Sequence, residues 1–317
     1  MVIKKIGIGI GSGITAGALW GLIFLAPEIA TNFTPLELSL GRYVAYGVVS
    51  ALLIASSWRR LWQQLSWKEW RGLIFLSLTG NIFYYLFLAT AVQTGGVAMT
   101  SLVIGFLPVV ITLAGRLDNN SLRLRKLIPS LLLSIAGLIC ISWQALTAQE
   151  HHGLSGMLYA LAALFSWSMY AVCNSRWLGR LRSISAHQWN LLTGVVTGAL
   201  ALILAIPSVL LTPTTHSQSD LFLFTLVVSG VAIFCSVMGN GLWNYASKVL
   251  PLTLTGQLIV SESIFGLAYG FLWEQRWPSA LELAAIGLMI TGVVHSTSAH
   301  HSVLTKNANT TDTMTSH

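Results

Sequence analysis

Apolar residues run along this chain in ten long stretches separated by short polar connections. Each is close to the roughly 20 residues that a helix needs to cross a bilayer. They fall near residues 7–26, 35–57, 71–93, 97–116, 126–144, 155–177, 187–210, 221–245, 252–273 and 279–297. The pattern predicts an all-α integral membrane protein with ten transmembrane helices. Residues 298–317, rich in Thr, Asn, Ser and His, read as a disordered cytoplasmic tail.

Composition agrees. The chain is 54% hydrophobic and 9% charged, against about 25% charge in a soluble domain. A net charge of +7 would point to nucleic acid in a soluble protein. Here the cations mark topology instead, and no nucleic-acid partner is expected. With the N-terminus inside, the inner segments hold fifteen of the 17 Lys and Arg, including Arg59, Arg60, Lys68, Arg71, Arg176, Arg180 and Arg182. The outer loops hold only Arg276, and Arg42 lies within a stretch. The positive-inside rule then places both termini on the cytoplasmic side, and a bacterial inner membrane is the expected location. The Lys4-Lys5 pair and the apolar run after it read as a retained first helix, not a cleaved leader.

Ten stretches divide into five and five, residues 7–145 and 155–297, and the second set starts in the opposite orientation. Such inverted repeats are typical of secondary transporters, with a site where the halves meet. At a fixed offset, Ala91, Thr100 and Ile104 fall on Ala246, Thr255 and Ile259, and the first and sixth stretches each carry a mid-depth Trp, Trp20 and Trp167.

Several polar groups lie in the apolar stretches. Glu262 sits in the middle of the ninth, where an acid costs roughly 3 kcal/mol to insert. It either exchanges protons or binds a cationic group, or it ties its helix to a neighbour. Arg42 either snorkels and stabilises its own repeat or holds an anionic substrate group through its forked guanidinium. Asn81 with Tyr84 or Tyr85, and Asn240 with Trp243 or Asn244, share a helix face at i to i+3 and i+4. Amides among rings suit an amphipathic organic substrate, and interhelix hydrogen bonding is the alternative. Gln257 is counted with this set, although five residues separate it from Glu262. Gly13, Gly17 and Gly21 fit close helix packing.

Other chemistry is thin. Cys140, Cys173 and Cys235 are scattered through apolar runs without a CxxC. His151-His152 lacks a third ligand nearby. No Walker A stretch or HExxH is present, so neither a cofactor nor a metal is expected and an enzyme is not.

The residues that now carry a resemblance are the Trp-centred Trp20 and Trp167 helices, Pro35 through Arg42, Leu107-Pro108-Val109, and Ser261-Glu262-Ser263-Ile264-Phe265 followed by Trp273-Glu274-Gln275-Arg276. In these the chain resembles the drug/metabolite transporter superfamily, in its ten-helix branch of two EamA repeats. It departs from that pattern at Ser263, where the family has Pro, and at Trp273, where it has Gly. The resemblance implies a secondary transporter, usually an exporter of amino acids, other metabolites or drugs. Trp167, Tyr170 and Trp243-Asn244 are similar in style to aromatic amino acid exporters; Trp167 and Tyr170, with Trp20 of the matching Trp-centred helix, join the substrate-facing set. The expectation is an alternating-access exporter of small amphipathic metabolites, with membrane lipid and protons as its other partners. Import, or a membrane-embedded enzyme acting on a lipid, are the alternatives.

Overall fold

The computed structural model describes residues 2–115, 128–133, 135–137, 139–140, 153–211, 216–292, 294–295 and 298. Every regular element among them is a helix. The tail beyond residue 298 and the His151-His152 pair lie outside the described residues.

The first half begins with α1 (Val2–Gly21). Next come α2 (Pro35–Ile54), α3 (Trp58–Gln64) and α4 (Trp67–Ser77). Local chemistry sets these starts. Thr34 with Glu37, and Ser66 with Glu69, form capping boxes, and Pro35 occupies the first turn of α2. A π segment, Leu78–Ile82, joins α4 to α5 (Phe83–Ile104). Gly96, at φ 80°, breaks the helical path inside α5 where the third apolar stretch gives way to the fourth. Then follow α6 (Leu107–Gly115) and α7 (Ile128–Gly137).

The second half repeats the scheme with α8 (Gly153–Arg180), α9 (Ala186–Leu211) and α10 (Gln218–Val231). A second π segment, Ala232–Gly239, leads into α11 (Asn240–Val249). α12 (Leu252–Leu258) and α13 (Val260–Glu274) are one apolar stretch broken at Ile259, and α14 (Ala280–Gly292) follows. The break needs no proline: Ser263, standing where the family has Pro, lies inside α13.

Among the described residues six helical runs are long and apolar enough to cross a bilayer, from Lys5–Ile29 to Gln218–Val249. The fourth and ninth stretches are broken helices, and the fifth and tenth are described only as the shorter Ile128–Gly137 and Ala280–Gly292. Side chains such as Leu52, Phe222 and Leu272 stand 73%, 73% and 76% exposed, which a lipid solvent accommodates and water does not. This is an all-α, multi-pass integral membrane protein.

The halves interlock reciprocally. α1 packs on α11 and α13 of the second half, α8 packs on α5 and α6 of the first, and α2 packs on α9. Glycines permit the close approaches. A Cβ on Gly47 would lie 2.6 Å from the Cα of Gly198, and one on Gly156 would lie 2.8 Å from the Cα of Gly95. Gly13, Gly17 and Gly21 press against Leu258, Ser261 and Gly266, so the stripe read from the sequence as a packing face seats α1 on α12 and α13. A Cβ on Gly17 would meet the Glu262 backbone nitrogen at 2.8 Å; the glycine lets Glu262 approach the middle of the bundle.

The Trp273-Glu274-Gln275-Arg276 segment closes α13. Gln275 takes the left-handed cap conformation at φ 50°. Arg276 pairs with Glu274, makes two 2.8 Å bonds to the Glu282 carboxylate and lies 4.7 Å from the Phe271 ring centroid. Glu282 first, and Glu274 after it, hold that guanidinium above its usual range.

Candidate functional site

The two π segments organise the centre. An i→i+5 turn frees backbone carbonyls that a regular helix would use, and buried carbonyls need partners. In the first segment, Tyr43 Oη donates to the Asn81 carbonyl at 2.9 Å, and Ser166 Oγ donates to the Thr79 carbonyl at 2.7 Å. In the second, Asn190 Nδ2 donates to the Val237 carbonyl and Trp20 Nε1 to the Cys235 carbonyl, each at 3.0 Å. Each segment is thus bonded by the second helix of its own half and the first helix of the other.

Each π segment carries a Gly-Asn pair, Gly80-Asn81 inside the first and Gly239-Asn240 at the end of the second. A Cβ on Gly80 would strike the Tyr170 ring at 2.1 Å, and one on Gly239 would meet Trp20 Nε1 at 2.8 Å. Aromatics from the opposite half therefore seat directly on these backbones. Trp20 Nε1 also donates to Asn240 Oδ1 at 3.0 Å, and Asn81 Nδ2 donates to Thr197 Oγ1 at 3.0 Å. Trp20, Trp167 and Trp243 form a triangle with centroid separations of 5.5, 5.3 and 5.5 Å.

Beside that triangle is a tight cleft of about 10 Å³, lined by Trp20, Ile23, Arg42, Gly80, Asn81, Tyr84, Trp167, Asn240 and Glu262. That is room for about one water molecule, against roughly 300 to 1,000 Å³ for small-molecule pockets. Arg42 does not snorkel. It is 3% exposed, its Nε and Nη2 each donate to Ser236 Oγ at 3.1 Å, and its guanidinium lies 4.3 Å from the Tyr85 ring centroid. Its Nη1 is buried without a hydrogen-bond partner. Glu262, 1% exposed, accepts from Tyr84 Oη at 3.2 Å through Oε1, and its Oε2 is also unpartnered. No ion pair joins Arg42 and Glu262. The cleft therefore combines a spare cationic donor, a spare carboxyl oxygen and aromatic walls.

Seven of the residues singled out in the sequence line this cleft: Trp20, Arg42, Asn81, Tyr84, Trp167, Asn240 and Glu262. Tyr85 lies under Arg42, Tyr170 against Gly80, and Trp243 completes the triangle. The other two sit apart. Asn244 accepts from Asn174 Nδ2 at 2.8 Å, in a buried network with Trp189, and Gln257 is fully buried on α12 outside the lining. Sequence reasoning passed over Ile23, Gly80 and Ser236. Gly80-Asn81 and Gly239-Asn240, at matching places in the two halves, were the available signal.

A membrane-embedded bundle whose halves enclose a polar, aromatic-walled cleft is the architecture of a transport protein. The model of the EamA-like transporter family matches residues 7–143 and again 154–298; the chain belongs to that family and is a membrane transporter. It is 33% identical over 305 residues to the inner membrane protein YtfF of Escherichia coli (strain K12), covering 90% of this chain and 94% of that one. A solved crystal structure superposes with a TM-score of 0.69 at 21% identity, over 92% of this chain and 98% of that chain, and so shares the fold.

Proposed function

We propose that this protein is a secondary active exporter of small amphipathic metabolites, amino acids or drug-like compounds, in a bacterial inner membrane. The carrying observation is the cleft itself. Both halves contribute its walls, and it holds one unpartnered donor, Arg42 Nη1, and one unpartnered acceptor, Glu262 Oε2, beside Trp20 and Trp167. A substrate with a carboxylate, an amino group and an apolar body would satisfy all three features. Trp243, Tyr85 and Tyr170 brace the binding residues. The inner-membrane relative supports the location.

At about 10 Å³ the cleft is closed down, and a substrate enters only when the halves part. Rocking of the halves about the π segments would open it to either side, with both termini toward the cytoplasm. Glu262 is the proton-coupling group in this reading. Its carboxyl has one bond, from Tyr84, and so can exchange a proton without dismantling a network.

The test is transport by the purified protein in proteoliposomes, screened with amino acids and aromatic amines. Counterflow for at least one such compound supports the reading; none from correctly inserted protein overturns it. Glu262→Gln should abolish flux driven by a pH gradient and spare counterflow. Undiminished proton-driven flux in that variant removes Glu262 as the coupling group.

A further inference from the structure

A second feature lies away from the cleft, on the short helix α3. Its sequence, Trp58-Arg-Arg-Leu-Trp-Gln-Gln64, turns Leu61 inward at 0% exposure and leaves Arg59, Arg60 and Gln63 exposed. The rings of Trp58, Trp62 and Trp70 stand together, 4.9 to 6.4 Å between centroids. Neither Arg59 nor Arg60 has an acidic partner among the described residues.

Two open grooves meet here. One, of about 310 Å³, is lined by Trp58, Arg59, Trp62 and Gln63. The other, of about 320 Å³, is lined by Ala51, Ile54, Ala55, Trp58 and Val195. Trp58 belongs to both, so a cationic, aromatic-walled groove runs on into an apolar one between α2 and α9. Exposed Leu52 and Leu53 on α2 place the apolar groove against lipid.

We propose that these grooves form one site for an anionic phospholipid. Its phosphate lies on Arg59 and Gln63 between the Trp58 and Trp62 rings, and one acyl chain runs along Ala51, Ile54 and Val195. The charge selects the occupant: an unpaired arginine at the membrane interface attracts an anionic headgroup, Trp belongs at that depth, and the apolar continuation suits a hydrocarbon chain and not a free anion. The site spans α2 and α9, one helix from each half, so an occupied site braces the contact at Gly47 and Gly198. It stands independently of the substrate carried.

Native mass spectrometry of the full-length protein, titrated with phosphatidylglycerol or phosphatidylcholine, tests it. The wild type should retain phosphatidylglycerol at least about fivefold more than phosphatidylcholine. Arg59→Gln should abolish that preference. Ala51→Trp, which fills the apolar groove from its exposed rim, should lower retention with the arginine intact. Unfolding midpoints without lipid confirm that both variants fold. Equal retention of the two lipids by the wild type, undiminished preference in both variants, displacement by inorganic phosphate, or an equal loss in Arg180→Gln, outside the grooves, would each overturn the proposal.

Discussion

Arg42 and Trp20 hold the cleft in different ways, and single substitutions separate them. Arg42→Gln removes the charge, the two bonds to Ser236 and the stacking over Tyr85. If Nη1 receives a substrate carboxylate, that contact contributes about 1.5–3 kcal/mol, roughly a 10- to 100-fold rise in half-saturation concentration. The rise should appear for carboxylate-bearing substrates and not for aromatic amines that lack a carboxylate in the proteoliposome assay. Trp20→Phe keeps a ring in the triangle but leaves the Cys235 carbonyl and Asn240 Oδ1 without the indole donor. That should lower stability by about 1–3 kcal/mol, read as a fall in the unfolding midpoint in detergent. At this scale much was legible in advance, because a charge or amide in an apolar run is expensive and stands out. Arg42, Asn81, Asn240 and Glu262 were found that way. Ser236 was not, since a serine in an apolar run costs little and says nothing until its partner is known.

Helices are where the sequence was least legible. Hydropathy reports how long a stretch stays apolar and is blind to hydrogen-bond register. Leu78–Ile82 and Ala232–Gly239 therefore read as ordinary helix, although as π segments they supply the carbonyls that Tyr43, Ser166, Asn190 and Trp20 bind. The break at Ile259 was equally silent, with no proline to mark it. The Gly13, Gly17 and Gly21 stripe was a better guide, while the close backbone approach between the halves at Gly47 and Gly198 went unread. Gly47 sits where a Cβ would come within 2.6 Å of the Gly198 Cα, whereas a Cβ on Gly230 would meet nothing within 4 Å. Gly47→Ala should force α2 and α9 apart at an overpacking cost of about 1–3 kcal/mol. Gly230→Ala should leave stability unchanged or raise it by up to roughly 1 kcal/mol, because alanine favours helix over glycine. Paired unfolding midpoints check both, and equal midpoints would show that the α2–α9 contact is looser than its geometry indicates.

For the whole molecule, the reciprocal packing of α1 on α11 and α13, of α8 on α5 and α6, and of α2 on α9 relates the halves more directly than the three matched residues in sequence do. It also links charge to mechanism. Arg180 ends α8 and exposed Arg182 precedes α9, and this end of α8 packs on α4, where a Cβ on Gly72 would touch Trp177. The 26 residues of α9 then carry the chain about 39 Å at roughly 1.5 Å per residue, far enough to put Ser183 and Ser219 on opposite sides of a bilayer. If the basic end faces the cytoplasm, Ser183→Cys should react with a membrane-impermeant maleimide only after cells are opened, and Ser219→Cys in intact cells. Both serines are exposed, whereas Cys140, Cys173 and Cys235 lie in apolar stretches and are half-buried or buried, so the parent protein serves as the unlabelled control. The reverse pattern would turn the bundle over and place the phospholipid site of α3 in the opposite leaflet. Labelling of both positions from one side would remove α9 as a spanning helix. The two halves could not then be inverted copies, and a cleft alternately open to each side would lose its structural basis.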